Sequence, residues 1–336
     1  MTGALASVVV VSRDGFGQAP ACLARLVDVT ETPFRLVYVD GNAPARIARR
    51  LRRLVVRHGG TLVRTNRFLR PTHARNLGFR DIDTRYTVFL DNDVLVTPGW
   101  LDALVRCAEE TGAAFVSPIV CMAGQTALVV HVAGGENRLV SIQGRHRLIE
   151  TYGHAGEPLS RVLAEVSRAP TTMAEFHAVL VRTESLRAAG GLDECCPTAF
   201  EHNDLCLALA ARGCGGWLEP ASTVMWAPGS PAAGDNRQYH MVRWCRSWID
   251  QSLAGFCCKW DLEPHDPGLA ASLQSLHERR RRPTQRIRAI AGRLAGARAV
   301  ARIDALSDWW VDAILQEHHQ EKPTRALVSQ WPGPHA

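Results

Sequence analysis

Short apolar runs alternate with helical patterns over the first 120 residues of the chain. Each run is brief and rich in β-branched or aromatic residues, as expected of strands that are buried on both faces. The predicted strands are residues 7–11, 36–39, 61–64, 87–90 and 115–117. This alternation predicts an α/β fold with parallel strands joined by right-handed helical crossovers.

Two of the intervening helices are well marked. One has an apolar stripe made of Ile47, Leu51, Leu54 and Val55. In the other, Thr97 is the predicted N-cap, Pro98 lies in the first turn and Gly112 stops the helix.

The pattern changes after residue 120. Residues 121–170 are rich in glycine and polar residues, which indicates loops or a small antiparallel insertion. Periodicity then predicts a strand at 177–182, helices at 184–189 and 203–211, and a strand near 217–218. The last 100 residues have a helical pattern.

Composition narrows the class of protein. With 336 residues and 46% hydrophobic content, the chain can bury a sizeable core. Its apolar runs fall far short of the roughly 18 residues that cross a bilayer. The ten cysteines are scattered without zinc-ligand spacing, so we expect reduced thiols. No secretory signal pattern is present at the N-terminus, and we therefore expect a cytoplasmic protein.

The net charge of +6 comes largely from one arginine-rich stretch at 279–302. An apolar stripe runs through it at helical spacing, formed by Ile287, Ile290, Leu294, Ala297 and Ala301. A helix with one apolar and one basic face is predicted. The basic face fits a solvated surface, or weak peripheral contact with the inner face of a membrane or with an acidic partner; we expect no nucleic-acid binding.

Polar side chains follow three of the predicted strands, where ligands collect in open α/β sheets. They are Ser12 and Arg13 after the first strand, Asp40, Gly41 and Asn42 after the second, and Asp91, Asn92 and Asp93 after the fourth. Two carboxylates one residue apart offer the hard oxygen ligands that Mg²⁺ and Mn²⁺ prefer. An acidic turn without a metal would have the same residues.

Four segments of the chain together resemble family 2 glycosyltransferases of the GT-A fold. They are residues 8–13 (Val-Val-Val-Val-Ser-Arg), 37–42 (Val-Tyr-Val-Asp-Gly-Asn), 74–78 (Ala-Arg-Asn-Leu-Gly) and 89–93 (Phe-Leu-Asp-Asn-Asp). The resemblance covers roughly residues 5–225. It implies a mixed, mostly parallel sheet flanked by helices, with Asp91-Asn92-Asp93 as the DXD-type triplet.

The resemblance also implies the roles of individual residues. The donor site would consist of Ser12, Arg13, Asp40, Asn42, Arg75, Asn76, Asp91 and Asp93. Asp93, together with Asp91, would bind Mn²⁺ or Mg²⁺ and so neutralise the departing diphosphate. Structural roles stay open, since Asn76 can bridge a turn and Arg75 can pair with a nearby aspartate, Asp81 or Asp83.

Residues 175–177, 190–194 and 201–206 look like the acceptor half of the same family. Where relatives commonly carry Glu-Asp, this chain has Glu201-His202, as in a bacterial subgroup. His202 as a neutral imidazole is a candidate base, Glu201 and Asp204 are its rivals, and a structural role for His202 is the alternative.

A second departure lies at Trp226, where many relatives place a metal-binding histidine. The metal would then rest on Asp93, the diphosphate and water, or on help from a residue such as His240. Downstream, Trp244, Trp248 and Phe256 recur near whole helical turns, which favours core packing over a sugar-stacking surface.

The sequence therefore predicts an inverting, metal-dependent glycosyltransferase that moves a sugar from a nucleotide-diphosphate donor to an acceptor nucleophile. Residues 1–235 would form the catalytic domain, with a donor half at about 1–120 and an acceptor half at about 121–235, and residues 236–336 a helical extension. The acceptor could be a glycan, a lipid-linked group, a small molecule or a peptide. The alternative is an inactive descendant that binds a nucleotide or a glycan.

Overall fold

A computed structural model describes residues 3–122, 128–229, 234–320 and 327–329 of the chain. Its strands are β1 (Ala6–Val11), β2 (Phe34–Gly41), β3 (Thr61–Thr65), β4 (Tyr86–Asp91), β5 (Val94–Val96), β6 (Phe115–Met122), β7 (Val129–Val132), β8 (Gly135–Ile142), β9 (Arg145–Tyr152), β10 (Ala169–Thr171), β11 (Ala178–Arg182), β12 (Gly216–Trp226) and β13 (Leu327–Ser329). Its helices are α1 (Ala19–Val29), α2 (Ala45–Arg57), α3 (Pro71–Phe79), α4 (Trp100–Thr111), α5 (Leu159–Glu165), α6 (Thr183–Ala188), α7 (Glu201–Ala210), α8 (Gly234–Arg243), α9 (Arg246–Trp260), α10 (Pro267–Arg281) and α11 (Gln285–Gln320).

One mixed sheet forms the centre of the fold, in the order β10-β12-β6-β11-β4-β1-β2-β3-β13, with β5 paired to β12 and β7 to β6. Strands β1 to β4 are mutually parallel along this order, and β12 is parallel to β6. Because β11 is antiparallel to both β4 and β6, the long strands on either side of it point the same way. The predicted mixed, mostly parallel sheet flanked by helices is confirmed.

Apolar side chains cover both faces of the central strands. Val8 and Val10 of β1 face the core that contains α1 and α2, and Val9 and Val11 face the core that contains α3 and α7. All four are almost fully buried. Burial on both faces explains why the sequence of this strand shows an unbroken apolar run instead of alternation.

Helix α3 packs unusually close to the sheet. A Cβ atom at Gly78 would lie 2.4 Å from Cγ1 of Val9, which is fully buried. Glycine at this position lets the helix approach β1 and fixes the depth at which Arg75 enters the site.

The predicted helix boundaries are correct at one end of α4 and wrong at the other. Gly112 ends the helix in a left-handed conformation (φ 70°), as expected. The helix begins at Trp100 after Gly99, and Thr97 is not its N-cap, because the Thr97 hydroxyl donates a hydrogen bond to the carbonyl of Thr223 instead (2.7 Å).

Residues 135–152 form the antiparallel insertion that was predicted as one alternative for this region. β8 and β9 pair along their whole length as a hairpin outside the main sheet. The hairpin covers one side of the large pocket described below.

The C-terminal part is helical, as predicted, and packs against the sheet domain. Trp248 and Phe256 are buried among other apolar side chains, which agrees with core packing. The predicted continuous stripe through Ala297 is interrupted, because Gly296 (φ 71°, ψ −167°) breaks α11 into two helical segments. Among the described residues, no helix is both long and apolar enough to cross a membrane.

Candidate active site

The loops that follow β1 and β4 are held together by the middle residue of the acidic triplet. Asn92 accepts a hydrogen bond from the backbone amide of Arg13 (3.1 Å) and donates one to the carbonyl of Gly15 (2.8 Å). The two aspartates that flank Asn92 are therefore presented by a fixed backbone.

Asp91 is the anion between two buried arginines. Arg13 donates to its Oδ2 and Arg75 to its Oδ1, each at 2.9 Å. Arg75 also lies 3.4 Å from Glu201, so the pairing with Asp81 or Asp83 considered above is not observed. Both carboxylate oxygens of Asp91 are thus already engaged within the protein.

Asp93 has one carboxylate oxygen without a hydrogen-bond partner among the described residues. Its Oδ2 accepts from the indole of Trp226 (3.1 Å), while the buried Oδ1 has no partner. Burial and the nearby charges of Asp91 and Asp14 raise the pKa of Asp93 to about 7. Of the two aspartates, Asp93 is the one with an unused ligand atom.

A histidine that the sequence had not marked as a ligand lies beside this pair. Ligand atoms of Asp91, Asp93 and His177 lie within 4.8 Å of one another, and all three residues are buried. His177 precedes β11, which pairs with β4 so that the backbone amide of Asp91 donates to the carbonyl of His177 (3.1 Å). Residues 177–182 were predicted as a strand, but only its antiparallel placement beside β4 brings His177 to the carboxylates.

The predicted nucleoside contacts lie along the same edge of the sheet. Asp40 accepts from the backbone amide of Ala43 (2.7 Å) and pairs with Arg64. Asn42, in the same turn, has a left-handed backbone (φ 72°). Ser12 is buried and directly follows β1, which pairs with both β2 and β4. It therefore lies between the ends of those two strands.

Asn76 has a bridging role in the structure. Its side-chain amide donates to the carbonyl of Leu192 (2.8 Å), and its oxygen accepts from the amide of the same residue (3.0 Å). The side chain ties α3 to the loop after α6, which is the structural alternative stated for it above.

A pocket of about 440 Å³ opens next to the acidic triplet. Its charged lining includes Arg13, Glu150, Glu175, Glu201, His202 and Arg279. The sheet edge, the β8–β9 hairpin, α7 and α10 all contribute to its walls. Of the three candidate bases, His202 and Glu201 therefore face the pocket.

His202 lies in a cluster of carboxylates. Its Nε2 is 3.1 Å from Oε1 of Glu150 and 3.4 Å from the hydroxyl of Tyr152. Burial lowers the pKa of His202, but the charges of Glu175 and Glu150 raise it more, to about 9. At neutral pH the side chain is an imidazolium, which differs from the neutral imidazole considered from the sequence.

The two rival bases are engaged differently. Glu201 lies 3.3 Å from Arg243 and 3.4 Å from Arg75, at the pocket wall. Asp204 accepts hydrogen bonds from Lys259 and from the indole of Trp260, both at 2.9 Å, and is not among the residues that line the pocket. The second half of the predicted acceptor motif is thus used to attach α9.

Glu175 lies in the segment 175–177 that resembles the acceptor half, but the sequence assigned it no role. The Tyr152 hydroxyl donates to its Oε1 (3.0 Å), and its Oε2 lies 3.9 Å from Arg13 and from His177. Burial would raise the pKa of Glu175, but His202, His177 and Arg13 lower it well below its usual range. An ionised carboxylate thus stands between the acidic triplet and His202.

The C-terminal helices complete the site. Arg243 donates to the carbonyl of Arg13, and the indole of Trp244 donates to Asp14 (2.7 Å). Arg279 of α10 packs over the rings of Trp226 and Trp244. No pattern in the sequence marks these contacts, because Arg279 resembles an ordinary surface residue of the basic stretch.

His240 does not join the acidic group. Its Nε2 is hydrogen-bonded to the carbonyl of Arg279 (3.0 Å), and its Nδ1 lies 3.7 Å from Asp14. Help from His240 in metal binding, considered above, has no support in this geometry.

The sheet topology, the acidic triplet at the end of β4 and the adjoining pocket define a GT-A type fold. A crystal structure of GalNAc-T7 with UDP, GalNAc and Mn²⁺ matches with a TM-score of 0.52 and 16% identity, covering 82% of this chain and 54% of that one. At this level of identity the match shows likeness of fold.

Two further findings concern the family. Residues 7–136 match the family described as Glycosyl transferase family 2. The pre-mycofactocin glycosyltransferases of Mycobacterium tuberculosis strains CDC 1551 / Oshkosh and ATCC 25618 / H37Rv are each 29% identical over 154 residues, which is 46% of this chain. The chain covers 29% of the length of these relatives. These findings show that residues 7–136 are similar to Glycosyl transferase family 2.

Proposed function

We propose that the chain transfers a sugar from a nucleotide-diphosphate donor to an acceptor nucleophile, with inversion and with the help of a divalent metal. The observation that carries this proposal is the buried Oδ1 of Asp93, which has no hydrogen-bond partner among the described residues. It belongs to an acidic triplet that Arg13 joins to the lining of a large charged pocket. The match to a glycosyltransferase family and the likeness to a protein crystallised with UDP and Mn²⁺ support it.

The donor would bind along the ends of β1, β2 and β4. Ser12, Arg13, Asp40 and Asn42 supply the hydrogen-bonding groups that a base and a ribose need. Asp93 fits Mn²⁺ or Mg²⁺ as a ligand because its Oδ1 has no partner within the described part of the chain, so Asp91-Asn92-Asp93 would act as the DXD triplet. When bound, such an ion neutralises charge on the diphosphate as it leaves.

The acceptor would enter the pocket on the other side of the transferred sugar. As the acceptor oxygen bonds to the anomeric carbon and the bond to the diphosphate breaks, a base must take the acceptor's proton. We assign this role to Glu175, which is ionised and lies between the triplet and His202. His202, as an imidazolium, would hold Glu175 and Glu150 in place. The alternative assignment is that His202 itself is the base.

A donor screen with matched variants tests this function. The purified chain with Mn²⁺ is incubated with UDP-, GDP- and dTDP-sugars, and slow hydrolysis and nucleotide binding are measured. Asp93→Asn should lose turnover, while Asp81→Asn, an exposed carboxylate at the far end of α3, should not. Absence of binding and hydrolysis with every donor would refute the proposal.

A second candidate function is binding of a nucleotide or a glycan without catalysis. Trp226 favours it, because its indole occupies one oxygen of Asp93 and offers no ligand to a metal. Calorimetric titration separates the two functions. Nucleotide binding without turnover across a panel of glycan, lipid-linked, small-molecule and peptide acceptors would favour this alternative.

We also propose a weak peripheral contact between α11 and an anionic membrane surface at the cytoplasmic face. Ile287, Ile290 and Leu294 are 60%, 59% and 82% exposed, and they share their helix segment with Arg286 and Arg293. Exposed apolar groups beside arginines suit an anionic lipid interface. Sedimentation with phosphatidylglycerol vesicles should exceed that with phosphatidylcholine vesicles, and equal sedimentation would exclude the contact.

A further inference from the structure

We propose that His177 is a protein ligand of the divalent metal, alongside Asp93. This inference rests on the proposed metal-dependent function and adds a residue from a different part of the sheet. The ion would be held between the end of β4 and the residue that precedes β11.

The register of two strands places His177 at this position. Ala178 pairs with Leu90 across the antiparallel β4–β11 ladder, so His177 stands opposite Asp91. The Nδ1 of His177 lies 3.6 Å from Oδ2 of Asp91. Because backbone pairing fixes both residues, the imidazole reaches the triplet without any rearrangement of the chain.

The spacing suits a common ion. One ligand atom each of Asp91, Asp93 and His177 lies within 4.8 Å of the others. Ligand atoms at about 2.1 Å from an octahedral ion are roughly 3.0 Å apart when adjacent and 4.2 Å apart when opposite. Groups that lie no more than 4.8 Å apart are therefore close enough to approach one ion through movement of their side chains.

Unsatisfied atoms point to the same conclusion. Both ring nitrogens of His177 and the Oδ1 of Asp93 are buried and have no hydrogen-bond partner in the described part of the chain. A buried polar atom without a partner costs about 1–3 kcal/mol, so unpaired atoms in one small group need an explanation. A shared cation accounts for an unpaired nitrogen on His177 and for the unpaired oxygen on Asp93.

Trp226 positions both ligands without being one. Its indole donates to Oδ2 of Asp93 (3.1 Å), so that Oδ1 is not used in this hydrogen bond. Its ring packs against the imidazole of His177, with the ring centroids 4.7 Å apart. Asp91 is held by Arg13 and Arg75, so the ion would depend mainly on Asp93 and His177. A nitrogen ligand should also disfavour Mg²⁺, which prefers an all-oxygen shell.

Pulsed electron paramagnetic resonance of the full chain with Mn²⁺ alone tests the inference directly. A coordinated imidazole gives a nitrogen hyperfine coupling to the manganese. We expect this coupling in the unsubstituted protein and its loss in His177→Gln, with Mn²⁺ binding weakened at least about tenfold. His131→Gln is the matched control, because His131 is a neighbouring imidazole with an unpartnered Nε2 (ring centroids 5.2 Å apart).

The outcomes separate the inference from the proposed function. One outcome is that Mn²⁺ binds, that Asp93→Asn abolishes this binding, and that no nitrogen coupling appears. In that case the metal-dependent function stands and His177 is not a ligand. If the coupling survives in His177→Gln or vanishes in His131→Gln, the inference is likewise overturned. If Mn²⁺ binds to the unsubstituted protein neither alone nor together with UDP or GDP, both proposals fail.

A measurement without substitution covers the case in which His177→Gln does not fold. Replacing ¹⁴N by ¹⁵N in the histidines of the unsubstituted protein should change the modulation frequencies in the manner expected for a directly bonded nitrogen. An unchanged spectrum would show that no histidine contacts the ion and would overturn the inference.

Discussion

The charge of His202 can be tested through its effect on stability. The titratable groups that face this side chain are Glu150, Tyr152, Glu175, His131 and Glu201. The carboxylates outweigh both burial and the neighbouring imidazole, and they raise the pKa of His202 from 6.5 to about 9. Replacing His202 by Gln removes the positive charge and keeps a side chain that can donate to Glu150.

The size of the effect follows from this rise in pKa. At about 1.4 kcal/mol for each tenfold change, it corresponds to about 3 kcal/mol of free energy of unfolding. Because the pKa in the folded state is higher than in the unfolded chain, the stabilisation is fully present below pH 6.5 and is lost as the pH rises through about 9.

Urea denaturation at pH 6.5, 7.5, 8.5 and 9.5 measures this contribution. The stability difference between the unsubstituted protein and His202→Gln should shrink by about 3 kcal/mol over the series. His265→Gln, which replaces an exposed histidine, should follow the unsubstituted protein throughout. Parallel curves for all three proteins, or an imidazole that titrates near 6.5 by NMR, would refute the reasoning.

The same titration discriminates between the two proposed bases. If His202 takes the acceptor's proton, kcat/KM should rise with pH up to about 9, because only the neutral imidazole can act. If Glu175 takes it, the carboxylate is already ionised at neutral pH and no such rise is expected. Glu175→Gln should then lower kcat while nucleotide binding is retained.

Two pairs of substitutions test how the triplet and the close helix contribute to stability. Asp91→Asn should destabilise the protein by about 3 kcal/mol or more, because it leaves two buried arginines without their shared anion. Asp93→Asn should be neutral or stabilising in the absence of metal, because it removes repulsion from Asp91. Urea denaturation measures both changes in stability, and equal losses for the two variants would contradict the assignment. Gly78→Ala should lower the free energy of unfolding by about 1–3 kcal/mol, because the added methyl group overpacks against Val9. The double variant with Val9→Ala should recover part of that loss in the same assay. Full stability of Gly78→Ala alone would rule out the tight contact.

Sheet order and strand positions could be predicted to different degrees. The apolar runs of β1 to β4 and β6 are evident in the sequence because those strands are buried on both faces, and chirality fixes their crossovers. The antiparallel direction of β11 is not evident, since its five residues show the same burial as a parallel strand. Likewise, Thr97 and Pro98 have the composition of a helix start, but a tertiary hydrogen bond to β12 takes the threonine hydroxyl.

The candidate site was predictable where residues follow a strand directly. Arg13, Asp40 and the acidic triplet were found this way, because strand ends converge on one edge of the sheet. Glu175 and His177 lie in the segment predicted as part of the acceptor half, but neither was assigned a role, and Arg279 was noted only within the basic stretch. Each reaches the site through the direction of a strand or the packing of a distant helix. Sequence spacing carries no information about either.

The charged contacts of the structure connect the two sides of the site. Arg75 contacts both Asp91 and Glu201. Arg243 contacts Glu201 and donates to the carbonyl of Arg13. The side chain of Arg13 in turn donates to Asp91. Removal of one member therefore changes the ion pairs of residues on both sides. A substitution at Glu201 in the acceptor wall should therefore also weaken donor binding, so loss of turnover alone cannot identify Glu201 as the base. Comparison of the pH profiles of Glu175 and His202 variants is the measurement that can identify the base.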